Sequence, residues 1–158
     1  MSIQLISNTD PSTAEKILTL QKKSYEVEAE IIEFNDIPPF QDTLEKIMKS
    51  DEQFLGFVEN QTVYGVLAYK EETTFIDIHR LMVDPDHFQN GIGQALLDDL
   101  FSRYPDYTIT VQTGKDNMPA VNLYEKNGFE KTQEVEVEPG FSLVMYTRNK
   151  MELDKRRV

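Results

Sequence analysis

The feature that most constrains the fold is one junction. An apolar extended run, Leu81-Met82-Val83, passes through Asp84-Pro85-Asp86 into His87-Phe88-Gln89-Asn90-Gly91-Ile92-Gly93-Gln94-Ala95-Leu96-Leu97. From Gly91 to Tyr104 apolar residues recur at Ile92, Ala95, Leu96, Leu100 and Tyr104, so one helical face must be buried, and Pro105 stops the helix. A strand that turns this directly into an amphipathic helix belongs to an architecture in which helices cover a sheet. The glycines Gly91 and Gly93 let backbone N–H groups approach an anion closely. The first helical turn also leaves its N–H groups unpaired at the positive end of the helix dipole. The junction therefore predicts a phosphate site.

Two common phosphate sites do not fit. The dinucleotide fingerprint needs a third glycine where Leu96 stands, and a nucleoside triphosphatase loop needs Lys and Ser/Thr after the glycine, where Gln94 follows Gly93. The junction also lies past the middle of the chain, behind an apparent antiparallel meander, whereas a dinucleotide site usually opens the first βαβ unit.

Around the junction, Ser2 to Ser7 alternates as a strand, and Asp10-Pro11-Ser12 opens a helix through about Ala29. Ile37-Pro38-Pro39-Phe40 interrupts, and Asp42 to Met48 is helical again. Gln53 to Val58 and Thr62 to Tyr69 form a hairpin across Glu59-Asn60-Gln61. Phe75 to Val83 is the next strand. Ile76 and Ile78 alternate there with Asp77 and His79, whereas Leu81 to Val83 is continuously apolar, a phase change that fits a β-bulge. Tyr107 to Val111 is a strand and Pro119 to Asn127 a helix stopped by Gly128. Thr132 to Val137 and Phe141 to Thr147 close as a hairpin around Pro139-Gly140. The order βααβββαβαββ is that of a mixed α/β domain on one central sheet. It is assigned to residues 1–149, with a charged tail over 150–158 whose Lys155-Arg156-Arg157 reads as a solvated end.

Composition narrows the chemistry. The 158 residues contain no cysteine, which excludes disulfides, thiolate metal sites and an acyl group carried on a protein thiol. A net charge of −12 opposes nucleic acid, so a bound anion must be held by local backbone dipoles. No apolar run is long enough for a membrane span, and Met1 to Asp10 lacks the pattern of a signal peptide, so cytoplasmic residence is expected. His87 beside Asp84 and Asp86 suggests a metal ligand only superficially. With two histidines and no cysteine no metal is expected, and Asp84-Pro85-Asp86 reads as a turn.

The junction resembles the acyl-coenzyme A signature Q/R-x-x-G-x-G/A of the GNAT superfamily of N-acetyltransferases. Leu81-Met82-Val83-Asp84-Pro85 is similar to the strand end and proline turn that precede it. Asn117-Met118-Pro119-Ala120-Val121-Asn122-Leu123-Tyr124-Glu125-Lys126-Asn127-Gly128-Phe129 is similar to the family's second signature. Together with the order of elements, the resemblance covers nearly the whole chain. It implies a GNAT-like acyl-CoA N-acyltransferase fold, a mostly antiparallel mixed sheet flanked by helices. It also implies transfer of an acetyl group from acetyl-CoA, without a metal, to a primary amine of a small molecule or peptide. Members frequently form homodimers, which leaves a homodimer open here. The chain departs from the signature at its first position, where Phe88 stands in place of Gln or Arg, with Gln89 beside it.

The resemblance assigns Leu81, Met82 and Val83 to the pantetheine arm, and Phe88, Gln89, Asn90, Gly91, Ile92, Gly93 and Gln94 to the pyrophosphate. Asn117 and Ala120 are assigned to the cofactor groove. Tyr124 matches the tyrosine that protonates the departing sulfur, and a phenol suits that task because its pKa lies near a thiol's. A packed core aromatic is the alternative for Tyr124, and helix capping for Asn117. His79, at a position where many members carry Glu, and Asp77 on the same strand face are candidates for receiving the amine's proton, a structural histidine being the alternative. Glu30 and Glu33 are candidates for holding a cationic acceptor, or are simply part of a solvated acidic face. A non-catalytic acyl-CoA-binding sensory or regulatory module would satisfy the cofactor motif equally well, and a nucleotide-binding oxidoreductase is the more distant rival.

Overall fold

The computed structural model describes residues 2–32, 42–88 and 90–149. A seven-stranded sheet runs through them, built from β1 (Ser2–Ile6), β2 (Gln53–Glu59), β3 (Thr62–Glu71), β4 (Phe75–Val83), β5 (Thr108–Gly114), β6 (Glu130–Glu138) and β7 (Phe141–Arg148). The spatial order is β1-β2-β3-β4-β5-β7-β6, antiparallel throughout except for the parallel pair β4–β5. The helices are α1 (Pro11–Ile32), α2 (Leu44–Lys49), α3 (Ile92–Arg103) and α4 (Met118–Lys126). This is the mixed, mostly antiparallel βααβββαβαββ architecture predicted from the sequence. Helix α1 continues to Ile32, past the expected end at Ala29, because neither glycine nor proline intervenes.

Local chemistry sets the connections. Asn60 and Gln61, with φ of 52° and 67°, make the two-residue turn between β2 and β3, whose left-handed backbone matches the twist of a hairpin. The Thr43 side chain accepts the Lys46 N–H at 3.2 Å and so caps α2.

Two apolar layers sandwich the sheet. On one face α1 and α2 bury Ile17, Leu20 and Ile47 against Phe54, Val66, Ala68 and Met82. On the other, α3 and α4 bury Leu96, Leu97, Leu100, Val121 and Tyr124 against Leu67, Ile76, Ile78 and Val111. Gly65 of β3 permits the second packing, since a Cβ there would lie 2.5 Å from the Ile92 side chain. Any larger residue would push the start of α3 off the sheet.

Strand β4 carries the predicted bulge. The β3 ladder pairs Ala68 with Arg80 and then Tyr69 with Ile78, so His79 is the extra residue. The insertion explains the change of phase. Ile76, Ile78, Leu81 and Val83 all face α3 and α4, while Met82 faces α1 and α2.

Candidate active site

Strands β4 and β5 part beside the bulge. Their parallel ladder runs from Phe75 opposite Thr108 to Ile78 opposite Val111, and β4 then continues to Val83 and β5 to Gly114. The β5-facing backbone edge of Leu81–Val83 therefore lies beyond the end of the β4–β5 ladder. Leu81 and Val83 are partly buried on the α3 side, whereas the Met82 side chain is fully buried on the opposite face. Any part Met82 takes in binding falls to its backbone.

The chain leaves β4 through a tight turn, Pro85–His87, in which the Asp84 carboxylate accepts the Asp86 N–H at 2.9 Å. The Asp84 N–H donates to the Tyr64 carbonyl at 2.8 Å, and Lys23 of α1 reaches Asp84 and Asp86 at 3.0 and 2.8 Å. The His87 ring packs on Tyr64 with centroids 4.4 Å apart. These acidic residues thus act as a turn strapped to α1 and β3. Among the described residues no cluster of three His, Cys, Asp or Glu stands together as a metal site.

Gly91 caps α3 in the left-handed conformation, φ 75°, with open space where a Cβ would point. The helical ladder begins with the Ala95 N–H donating to the Gly91 carbonyl at 2.9 Å, so the N–H groups of Ile92, Gly93 and Gln94 stand ahead of it. Ile92 itself is buried in the core and offers only its backbone. Phe88 and Asn90 are exposed on the approach to this turn, and Gln89 lies outside the described residues. The Gln94 side chain points away from the turn and meets Asn127 at the end of α4.

Helix α4 forms the next wall. Asn117 caps it, accepting the Ala120 N–H at 3.4 Å, so the capping reading holds for its side-chain oxygen. Ala120 is partly buried against the core. Tyr124 is only 4% exposed, its ring 5.4 Å from that of Phe129 and 6.4 Å from that of Tyr146. The neighbouring phenol of Tyr146 donates to Glu125 at 3.2 Å. Burial first, and that carboxylate second, hold it above its ordinary pKa.

On the α1 side of the parting lies a polar chain. The Thr110 hydroxyl donates to Asp77 at 2.7 Å, the other Asp77 oxygen lies 3.1 Å from His79 Nε2, and His79 Nδ1 lies 3.6 Å from Glu52. Asp77 and His79 are therefore brought together as the sequence suggested. Glu30 is exposed in the last turn of α1, and Glu33 and the tail over 150–158 lie outside the described residues.

The sequence reading missed the partners of Arg80. Its guanidinium grips both Glu52 oxygens at 2.9 and 3.1 Å and donates to Asp42 at 2.8 Å and to Gln21 at 2.7 Å. It is nearly buried and joins β4, β2, α1 and the approach to α2. Arg80, the single cation in the strand where it turns apolar, was the available signal; its partners are remote in sequence.

Comparison with known proteins agrees with the fold. The family model described as acetyltransferase (GNAT) domain matches residues 20–150. UPF0157 protein YqkA of Bacillus subtilis (strain 168) is 36% identical over 155 residues, covering 96% of this chain and 45% of that protein. The chain thus spans a little under half the length of this curated relative. Among solved structures, smu.2055 from Streptococcus mutans UA159 aligns with a TM-score of 0.77 at 20% identity, over 95% of this chain and 99% of that one. An aminoglycoside 6'-N-acetyltransferase complexed with coenzyme A aligns with a TM-score of 0.73 at 14% identity, over 95% and 97%. Among the described residues no helix is long and apolar enough to cross a membrane.

Proposed function

This chain belongs to the GNAT acetyltransferase family, and on that premise we propose that it transfers an acetyl group from acetyl-CoA to a primary amine of a small molecule or peptide, by direct attack in a ternary complex. The observation that carries the reading is the parting of β4 from β5 next to a helix start whose first N–H groups lie ahead of the ladder. The two features give a cofactor of this shape a slot for its extended arm and a cradle for its phosphates. The coenzyme A bound to the structurally similar aminoglycoside acetyltransferase supports the same choice. A cytoplasmic setting and a homodimer are compatible with this reading and are not needed by it.

In this reading the N–H groups of Ile92, Gly93 and Gln94 hold the pyrophosphate, and Gly91 lets it approach. The backbone edge of Leu81–Val83 pairs with the pantetheine amides and directs one N–H at the thioester oxygen, polarising the carbonyl. The acceptor amine comes from the α1 side, with Glu30 and Glu33 as candidate contacts for a cationic acceptor. Asp77 accepts from His79 Nε2 and so orients the ring, and Nδ1 receives, directly or through one water, the proton the nitrogen loses. Tyr124 gives a proton to the departing thiolate.

The test is release of coenzyme A thiol from acetyl-CoA over a panel of primary amines, with Tyr124→Phe alongside. Turnover on at least one amine, and a fall in kcat of about 100-fold in the variant with coenzyme A affinity retained, is expected. Tight binding of coenzyme A with transfer to none of the amines would instead identify an acyl-CoA-binding module.

A further inference from the structure

Helices α3 and α4 are joined by a closed pair of side-chain amides. Gln94 Nε2 donates to Asn127 Oδ1 at 2.7 Å, and Asn127 Nδ2 donates back to Gln94 Oε1 at 2.9 Å. The remaining hydrogens are also used. Gln94 donates to Asp98 at 2.9 Å and Asn127 to the Leu123 carbonyl at 2.8 Å, so each amide is tied to its own helix as well as to the other. Two planar groups satisfied on every N–H have almost no freedom to slide.

The location gives the clasp its meaning. Gln94 contributes one of the three N–H groups ahead of the α3 ladder. Asn127 ends the helix that carries Tyr124 one turn earlier, its own N–H donating to the Tyr124 carbonyl at 3.0 Å. Its carbonyl accepts from Arg148 Nε at 3.0 Å, and that guanidinium lies over the ring of Phe101 in α3, 3.6 Å from its centroid. A Cβ on Gly93 would come within 3.4 Å of Leu123, so the two helices also touch where the clasp begins. The start of α3 and the end of α4 thus form one unit, backed by β7.

We propose that Gln94 and Asn127 are a positioning pair that fixes the phosphate cradle of α3 relative to the Tyr124 hydroxyl, so that the grip on the pyrophosphate sets the alignment of the proton donor with the sulfur. The inference rests on the acetyl-CoA reading above. A misplacement of about 1 Å at a reacting centre lowers rates far more than it lowers affinity, so the cost of breaking the clasp falls mainly on kcat.

The experiment compares the wild type with Gln94→Asn, Asn127→Gln and the double exchange, which shortens one amide arm and lengthens the other. Coenzyme A affinity by calorimetry, kcat and KM with the best amine, and Tm are measured for each. Each single exchange is expected to lower kcat by about tenfold or more with a smaller loss of coenzyme A affinity, and the double exchange to recover most of it. Gln94→Glu and Asn127→Asp, which keep size while replacing both N–H donors of an amide by an acceptor oxygen, serve if an exchange variant does not fold, and the same fall in kcat is expected of them. A fall in Tm alone, with kcat and affinity at wild-type values in folded variants, overturns the positioning role. A wild type that binds no coenzyme A overturns the reading beneath it, and this inference with it, and is told apart by that measurement before any variant is made.

Discussion

His79 Nε2 lies 3.1 Å from an oxygen of Asp77, and the residue that completes this contact is the one that bulges out of the β3–β4 ladder. In a regular strand these two side chains would stand side by side on one face. The extra residue instead turns the imidazole toward its neighbour at the point where β4 leaves β5.

The relationship predicts how the two residues divide the work. Asp77→Ala removes the acceptor that orients the ring, and His79→Gln removes the ring itself. Both are expected to lower kcat by about 10- to 100-fold with the KM for acetyl-CoA unchanged. Steady-state kinetics of both variants with acetyl-CoA and the best amine read this directly, and a kcat at the wild-type value in a folded His79→Gln would show that the ring serves only packing.

The fold was legible because its signals are local and periodic: the alternation of Phe75–Val83, the spacing of Ile92, Leu96 and Leu100, and the glycine-bearing turns. The bulge was legible as a break in period. The Arg80 and Gln94–Asn127 contacts were not, because Glu52 and Asp42 reach Arg80 from 28 and 38 residues away and Asn127 lies 33 residues from Gln94. Hydrogen bonds between remote residues leave no periodic trace. Gln94 illustrates the limit. The motif marks its position, and its backbone N–H stands where expected, while its side chain serves the neighbouring helix.

Gly91 separates charge from strain. Its φ of 75° disfavours any residue with a Cβ, yet the space beyond is open, so a substitution costs about 1–2 kcal/mol in backbone conformation and meets no steric clash. Gly91→Asn, which tolerates the left-handed region, should keep coenzyme A affinity within a few-fold. Gly91→Glu should stay folded by circular dichroism and lose coenzyme A binding, because it sets a carboxylate among the phosphates. Retained affinity in Gly91→Glu would remove α3 as the phosphate site.

Arg80 predicts a large stability effect. Its side chain is 12% exposed and that of Glu52 is 7% exposed. Arg80→Met would leave Glu52 and Asp42 poorly solvated and without their cation, and a loss of about 3–5 kcal/mol is expected in urea unfolding. Arg80→Met combined with Glu52→Gln should recover part of that loss, since the variant then leaves one fewer unpaired charge in place. Equal stability of the single and double variants would show that the packing of Arg80 over Phe54, 5.7 Å from the ring, matters more than its charge.

The strap from Lys23 to the turn before the phosphate cradle gives a pH signature. Burial pushes the Asp84 carboxyl up, but the Asp86 N–H and the Lys23 ammonium outweigh it and hold the group below its ordinary value of 3.8. A carboxyl with a lowered folded pKa binds fewer protons in the native than in the unfolded chain. Its contribution is therefore complete above about pH 5 and is lost as pH falls through the folded value, below 3.8. Asp84→Asn should be less stable than the wild type at neutral pH by a margin that stays constant down to about pH 5 and shrinks on further acidification. Thermal melts of both chains from pH 7 to pH 3 read this directly, and a margin that instead widens on acidification would show that Asp84 is not the charged anchor of the turn.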